Sequence, residues 1–428
     1  MLATSPAVFH GGDSFLGYGV AREGRVTPGD HLQTIYNLWL PGHQLARGRA
    51  PWLDPYSFQP EVPERVNPAG WPFAAVFGPL EAAFGTVAGW NVFVLLTYLG
   101  AGGLVALWLR ALGLPLGPAL VGGLVFALAP YRVAQSTGHL LGPISMLLPL
   151  ALYGVERRGW LAVAALASIP LSGQVHLALG ALPFVLAYAC ARGRWRLGVV
   201  AAAAAFVAGA GVWALTLDDA RERPFAEVER YSASLGDFVS RSPGEFERFV
   251  YLGWLTPVAA LVGLVVLRRR RALAAVLGLG VFVPCLLALG ANLPGYRTLW
   301  EHSPLHSTRV PERLLPIACL CLAALVAFAL ERLSVVATQT SRGAPTPAPE
   351  RVRGPRGLSV AATQAHLGAA TAAALVLAAA DLWVPLYDPL VADEGNRVYA
   401  ELEDAPPGRL LELPPLPPDA YAGSVYLY

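Results

Sequence analysis

Lysine is absent from the 428-residue sequence, so every side chain counted as Lys or Arg is an arginine. These arginines gather at the ends of apolar runs and form no basic stripe interleaved with aromatics, which argues against nucleic acid as a partner. Cysteine is scarce too, with Cys190, Cys285, Cys319 and Cys321 all inside apolar runs. Cys319 and Cys321 are two residues apart and point in different directions on a helix, so they read as structural thiols rather than a metal pair or redox couple. Charge is low throughout: 14% of residues are charged, against about 25% in ordinary soluble domains. With 55% hydrophobic residues and a mean hydropathy of +0.49, the composition excludes a large soluble core and indicates a polytopic membrane protein. The net charge of +2 points to no partner. No signal-peptide pattern opens the chain, because residues 1–20 are glycine-rich and interrupted by Pro6 and Asp13. No fixed-period repeat is present.

What the chain does have is a series of long apolar runs. Full spans are expected at 90–111, 116–131, 140–155, 195–217, 249–267, 272–290, 312–333 and 365–386. The run 71–85 is too short to cross a hydrocarbon core of about 30 Å, and its aromatics and Glu81 suit a helix lying in the interface. Residues 160–171 and 174–191, broken at Ser172-Gly173, suit a hairpin that does not cross cleanly and that holds Gln174 and His176 near the outer half of the bilayer.

Arg110, Arg157 and Arg158, the Arg192–Arg196 group, the run Arg268 to Arg271, and the arginines from Arg332 to Arg356 fall in alternate connections, which makes those connections cytoplasmic. The opposite connections are then external. The resulting division is an external loop 1–88, a bundle 89–333, a Pro- and Arg-rich cytoplasmic linker 334–364, a last span 365–386, and a tail 387–428 in which GRLLELP and SVYLY read as strands of an external domain that begins here.

Candidate chemistry concentrates on the external side. Asp30, in Pro-Gly-Asp-His, suits either a helix N-cap before LQTIYNLWL or a general base for a hydroxyl, and the two roles are compatible. Asp54, in Trp-Leu-Asp-Pro-Tyr, suits a turn that satisfies backbone groups, or a second acid. His31 and His43 are twelve apart near Glu61 and Glu64, so a divalent ion such as Mg or Mn is conceivable, although the spacing matches no defined metal signature. Arg132 and His139 flank two spans; Arg132 can snorkel to the interface, and His139, following Gly138, suits substrate contact. Arg309 and Arg313 surround Pro311 at the start of a span, where they can hold a phosphate or simply anchor the helix.

These stretches in order, namely Gly29-Asp30 with Tyr36-Asn37-Leu38-Trp39, Phe58-Gln59-Pro60-Glu61 with Asn67-Pro68, Ala129-Pro130-Tyr131-Arg132 with Gly138-His139-Leu140, and Arg309-Val310-Pro311-Glu312-Arg313, resemble the GT-C superfamily of integral-membrane glycosyltransferases, in particular its bacterial members with a long first external loop. The resemblance implies an all-α polytopic bundle in a bacterial inner membrane, with loop 1–88 and the C-terminal tail extracytoplasmic. It further implies a sugar donor linked to a polyprenyl phosphate, an acidic residue of the first external loop as base, and inversion at the anomeric carbon. Asp30 matches that acid, with Asp54 as a second acid; His31, Arg132, His139, Arg309 and Arg313 are the substrate-binding candidates. The sequence departs from the family in lacking a span before the loop and in stopping within the external C-terminal domain, so a missing first helix and a truncated tail are expected. The competing readings are a transporter or flippase for lipid-linked sugars, which needs the groove and cations but no base, and a non-catalytic scaffold. The sugar and the acceptor stay open.

Overall fold

A computed structural model of the chain describes residues 11–12, 14–17, 30–57, 65–215, 224–242, 248–343 and 357–391. Asp30–Ala46 forms α1, whose buried residues His31, Thr34, Ile35 and Leu38 recur at helical spacing and pack on the next helix. A two-residue ladder, β2 (Leu53–Asp54) with β3 (Arg65–Val66), follows it. The next helix, α2, runs over Ala74–Ala111 but breaks at Gly85, whose φ of 76° only glycine adopts without strain. The expected interfacial segment and first span are therefore two arms of one broken helix.

Beyond it lie α3 (Leu116–Ala127), α4 (Pro130–Ala134), α5 (Leu141–Ile144), α6 (Leu147–Arg157), α7 (Gly159–Leu171), α8 (Val175–Ala191), α9 (Trp195–Leu215), α10 (Phe225–Tyr231), α11 (Leu255–Val266), α12 (Arg271–Ala288), α13 (Tyr296–Glu301), α14 (Leu315–Gly343) and α15 (Gly357–Leu382). The hairpin expected at Ser172-Gly173 is present, and its bend at Gly173 has φ 75°.

The outside of this bundle is apolar. Leu99 is 73% exposed, Phe206 and Val207 69%, and Leu261 65%, which is tolerable only against lipid. Four helices of the described residues are long and apolar enough to cross a membrane, within α2, α9, α12 and the segment 311–333; α3, α7, α8 and Gly368–Leu382 are apolar but shorter. The expected full spans 116–131, 140–155 and 249–267 are corrected accordingly, while 365–386 falls largely within α15, a helix of 26 residues. The run 116–131 ends at Ala127 before Pro130, and 140–155 breaks into α5 and α6, where Pro143 and Pro149 interrupt the ladder. The run 249–267 is helical only from Leu255.

At the centre, α14 is buried from Leu315 to Ala329 and packs against α3, α11 and α12. Gly263 of α11 makes one such approach possible, because a Cβ there would fall 1.9 Å from the Leu325 carbonyl oxygen. The far termini meet as well: β1 (Ser14–Gly17) pairs antiparallel with β4 (Asp388–Val391). Leu16 donates its N–H to Asn91 and accepts from Trp90, which docks β1 on α2. The strand β4 was not expected from the sequence, while the two strands that were, GRLLELP and SVYLY, lie outside the described residues.

Arg132 is not at the interface, as its flanking position suggested, but fully buried. Its Nε donates to Ser145 Oγ (3.1 Å), Nη1 to the Ala127 carbonyl (3.2 Å) and Nη2 to the Thr97 carbonyl (3.0 Å), while the guanidinium lies against the rings of Tyr98 and Phe126. One side chain thereby ties α2, the end of α3 and the start of α6 together, fixing the connection that carries His139. Arg132→Ala leaves three acceptors unmet and a cavity, so we expect a loss of about 3 kcal/mol or more, read as a lower melting temperature in detergent.

Candidate active site

Asp30 stands in the first turn of α1, where a negative charge is favourable at the helix N-terminus. Its Oδ2 lies 2.6 Å from Nε2 of His139, across 109 residues of sequence. His139 is 15% exposed and Asp30 33%, so the pair is half-buried with the carboxylate toward the outside. The far side of the imidazole is held too, with Nδ1 2.9 Å from Oε1 of the fully buried Gln135. The imidazole is thereby held from both sides, by the carboxylate at Nε2 and by the Gln135 side-chain amide at Nδ1.

Two contacts bring the segments together. Thr34 Oγ1 donates to the Gly138 carbonyl at 2.5 Å. Gly138 itself lies so close to α1 that a Cβ would stand 3.2 Å from the His31 nitrogen and 3.6 Å from the Asp30 Cβ. Its lack of a side chain is what lets His139 reach the carboxylate.

Burial works against ionisation of Asp30, but the hydrogen bond and charge of His139, together with the charges of Arg313 and Arg309, outweigh it and hold the carboxyl below its ordinary range. The structure therefore brings Asp30, His139, Arg309 and Arg313 into one electrostatic group. Pro311 opens the turn Pro311–Leu314 that leads into α14 and carries Arg313. Arg309 is steadied from α10 by Glu227 at 3.9 Å and by the Tyr231 ring. Among the described residues, Oδ1 of Asp30 takes no hydrogen bond and remains available to a ligand hydroxyl.

The other candidates lie elsewhere. Asp54 is fully buried and its carboxylate accepts from Tyr36 Oη (2.5 Å), the Tyr56 and Ser57 amides, Ser57 Oγ (2.8 Å) and Asn67 Nδ2 (3.3 Å). Although burial alone raises its pKa, these donors bring it below the ordinary value. It is the satisfied turn residue of the two readings rather than a second acid. His31 is buried against Phe15, which drives its pKa down to about 4 despite the Asp30 charge. It is a neutral packing residue that makes no approach to an outside ligand. Arg132 has its donors committed inside the bundle.

Glu61, Glu64 and Phe58-Gln59-Pro60 lie outside the described residues. Gln135 is the neighbour of His139 that sequence reasoning missed, and no sequence signal marked it, because the contact is made through the turns after α4 rather than by helical spacing.

No protein-family model and no curated protein matches the chain. Its fold is similar to a solved structure. That structure is the single-particle cryo-EM structure of arabinofuranosyltransferase AftD from Mycobacteria, with 16% identity, a TM-score of 0.49, and coverage of 89% of this chain and 29% of that one. The chain thus spans under a third of the length of that protein.

A divalent ion such as Mg or Mn does not fit the described residues. His31 and His43 stand about 18 Å apart along α1 at 1.5 Å per residue, and His43 is stacked on Trp39 with a ring separation of 3.9 Å. Nowhere among the described residues do three His, Cys, Asp or Glu groups gather in metal-binding geometry. The carboxylate of Asp30 is itself engaged by an imidazole and acted on by two guanidiniums.

The balance at Asp30 can be measured directly. In His139→Leu the hydrogen bond and the charge that lower the carboxyl pKa are both gone while burial, which raises it, remains. Asp30 then protonates at a higher pH than in the wild type. Carbon-13 NMR of aspartate-labelled protein, assigned with Asp30→Asn, checks this; an unmoved Asp30 titration would show that His139 does not govern it.

Proposed function

We propose that the protein is a membrane glycosyltransferase that moves a sugar from a polyprenyl-phosphate-linked donor to an acceptor hydroxyl, with Asp30 as general base. The observation that carries this reading is the Asp30–His139 contact of 2.6 Å with the charges of Arg309 and Arg313 bearing on it, at the surface of a bundle whose flanks suit lipid. The bilayer supplies the donor. No other cofactor enters the scheme.

In the proposed step the acceptor oxygen bonds to the anomeric carbon as the carbon–oxygen bond to phosphate breaks. The acceptor proton passes to Oδ1 of Asp30, and the bonding electrons leave with the polyprenyl phosphate. Asp30, held low, is ionised throughout the neutral range and ready to accept. His139 keeps Oδ2 occupied and so aims the other oxygen outward. Arg309 and Arg313 stabilise charge where it develops, on the departing phosphate, which is the larger part of catalysis for such a leaving group.

The donor's chain has a matching groove. A cavity of about 600 Å³ between α8 and α12 is lined by apolar side chains and reaches Leu305 and Leu314, close in sequence to Arg309 and Arg313. A prenyl chain there has its phosphate end toward the guanidiniums.

Asp30→Asn keeps the size and loses the base, so transfer from a lipid-linked donor falls by about 10²- to 10⁴-fold while expression and the melting temperature stay near wild type. Near-normal transfer in that variant rejects the base assignment, and wild-type protein that moves the lipid-linked sugar across vesicles without transferring it rejects the enzyme.

A further inference from the structure

Two further cavities lie along the helix that begins at Asp30, and the proposed mechanism does not use them. Asp30, Gln33, Asn37, Pro41 and Leu45 follow one another at i, i+3, i+7, i+11 and i+15, so they form one face of α1 about 22 Å long at 1.5 Å per residue. Gln33 and Asn37 line a cavity of about 380 Å³ together with Tyr36, Asp54, Ser57, Arg65 and Asn67, a polar set. Pro41 and Leu45 line a larger groove of about 1170 Å³, apolar for most of its wall, between α1, the first arm of α2 and the end of α9. The two spaces adjoin at Val66, Asn67, Pro68 and Val212. At its outer edge the groove meets Val207 and Leu215 of α9, 69% and 63% exposed, so it opens toward lipid rather than into the core. In order along one helix face, then, come the reactive carboxylate, a polar chamber and an apolar trough open to the bilayer.

We infer that this composite site takes the acceptor, and that the acceptor is an amphiphile: a hydroxyl-bearing polar head group carried on a long hydrocarbon chain. The inference rests on the proposed glycosyl transfer, which leaves the α8–α12 groove and the arginines to the donor. The polar chamber supplies amide and hydroxyl groups suited to a polyol head but sits one helical turn from the base, so the head reaches Asp30 only when its chain lies in the trough. A water-soluble acceptor has no use for the trough. A phospholipid whose head group lacks hydroxyls, such as phosphatidylethanolamine, offers nothing for the chamber's amides to hold.

Two glycines allow the test. Gly78 and Gly211 line the trough, and at both positions an added Cβ meets nothing within 4 Å. Gly78→Phe and Gly211→Phe therefore start from open space at Cβ and place a ring in the trough, and an unchanged melting temperature confirms that each variant folds. The probe is hexadecyl glucoside with a diazirine in its chain, added to the full chain in nanodiscs of phosphatidylethanolamine and phosphatidylcholine. Light should label peptides of α1 and α9, and each filled variant should lose about tenfold of that label, whereas Asp30→Asn keeps it.

Labelling unchanged in both filled variants, or removed as well by excess hexadecylphosphocholine, which has the chain but no hydroxyl, as by unlabelled hexadecyl glucoside, overturns the inference. Since Asp30→Asn is scored for labelling here and for transfer separately, loss of the mechanism and loss of the acceptor site are told apart.

Discussion

Everything at this site depends on a guanidinium placed where no water reaches. A charge buried without a carboxylate is unfavourable by several kcal/mol unless polar groups surround it, and Arg132 is met by two backbone carbonyls, a hydroxyl and two aromatic faces. Each acceptor belongs to a different element, so satisfying the charge requires all of them to be in place. The chain segment that follows, Gln135 to His139, leaves this anchor through two short turns, with Ser136 Oγ donating back to the Arg132 carbonyl at 2.9 Å. The position of His139 is thus set from inside the bundle, and α1 is brought to it by Gly138 and Thr34. A loop residue acquires the precision of a core residue.

Asp30 and Asp54 show how surroundings assign different work to the same functional group. They are 24 positions apart on one polar segment and both are held below the ordinary carboxylate range. Asp54 owes this to local donors, a hydroxyl and two amides within three residues of it plus Tyr36 and Asn67, so its oxygens are occupied and its function is to shape the β2–β3 turn. Asp30 owes it to charges brought from distant parts of the chain, and one oxygen is left over. Nearby donors account for the one carboxylate and charges from distant segments for the other.

That difference also governs what could be read from the sequence. Asp30, His139, Arg309 and Arg313 were each legible as candidates on one side of the bundle, but Asp30 read equally as a helix cap and the arginines as anchors, and the contact of Asp30 with His139, 109 residues away, left no mark in the sequence. The membrane class and the Ser172-Gly173 bend were legible from composition and glycine. Arg132 was misplaced because its sequence position, at the end of an apolar run, is the same for a snorkelling arginine and a buried one; only the turn of α4 after Pro130 decides which way it points. His31 was misplaced for a related reason, since one step of helix separates an outward Asp30 from a ring buried on Phe15. The broken spans were hidden because hydropathy does not register where Pro143 and Pro149 interrupt a helix of unbroken apolar character.

The arginines then carry a consequence for timing under the proposed mechanism. In the free protein they depress the Asp30 pKa and so keep it a weak base. An anionic phosphate bound to them cancels that influence and adds a negative charge of its own, both of which raise the carboxyl pKa. Asp30 is therefore a stronger base with the donor seated than without it, and it strengthens further as negative charge gathers on the departing phosphate. Proton abstraction is thereby coupled to cleavage through electrostatics alone, with no movement of the helix that carries the base. Water entering an undonated site meets the weaker carboxylate, whereas an acceptor hydroxyl delivered along α1 beside a bound donor meets the stronger one.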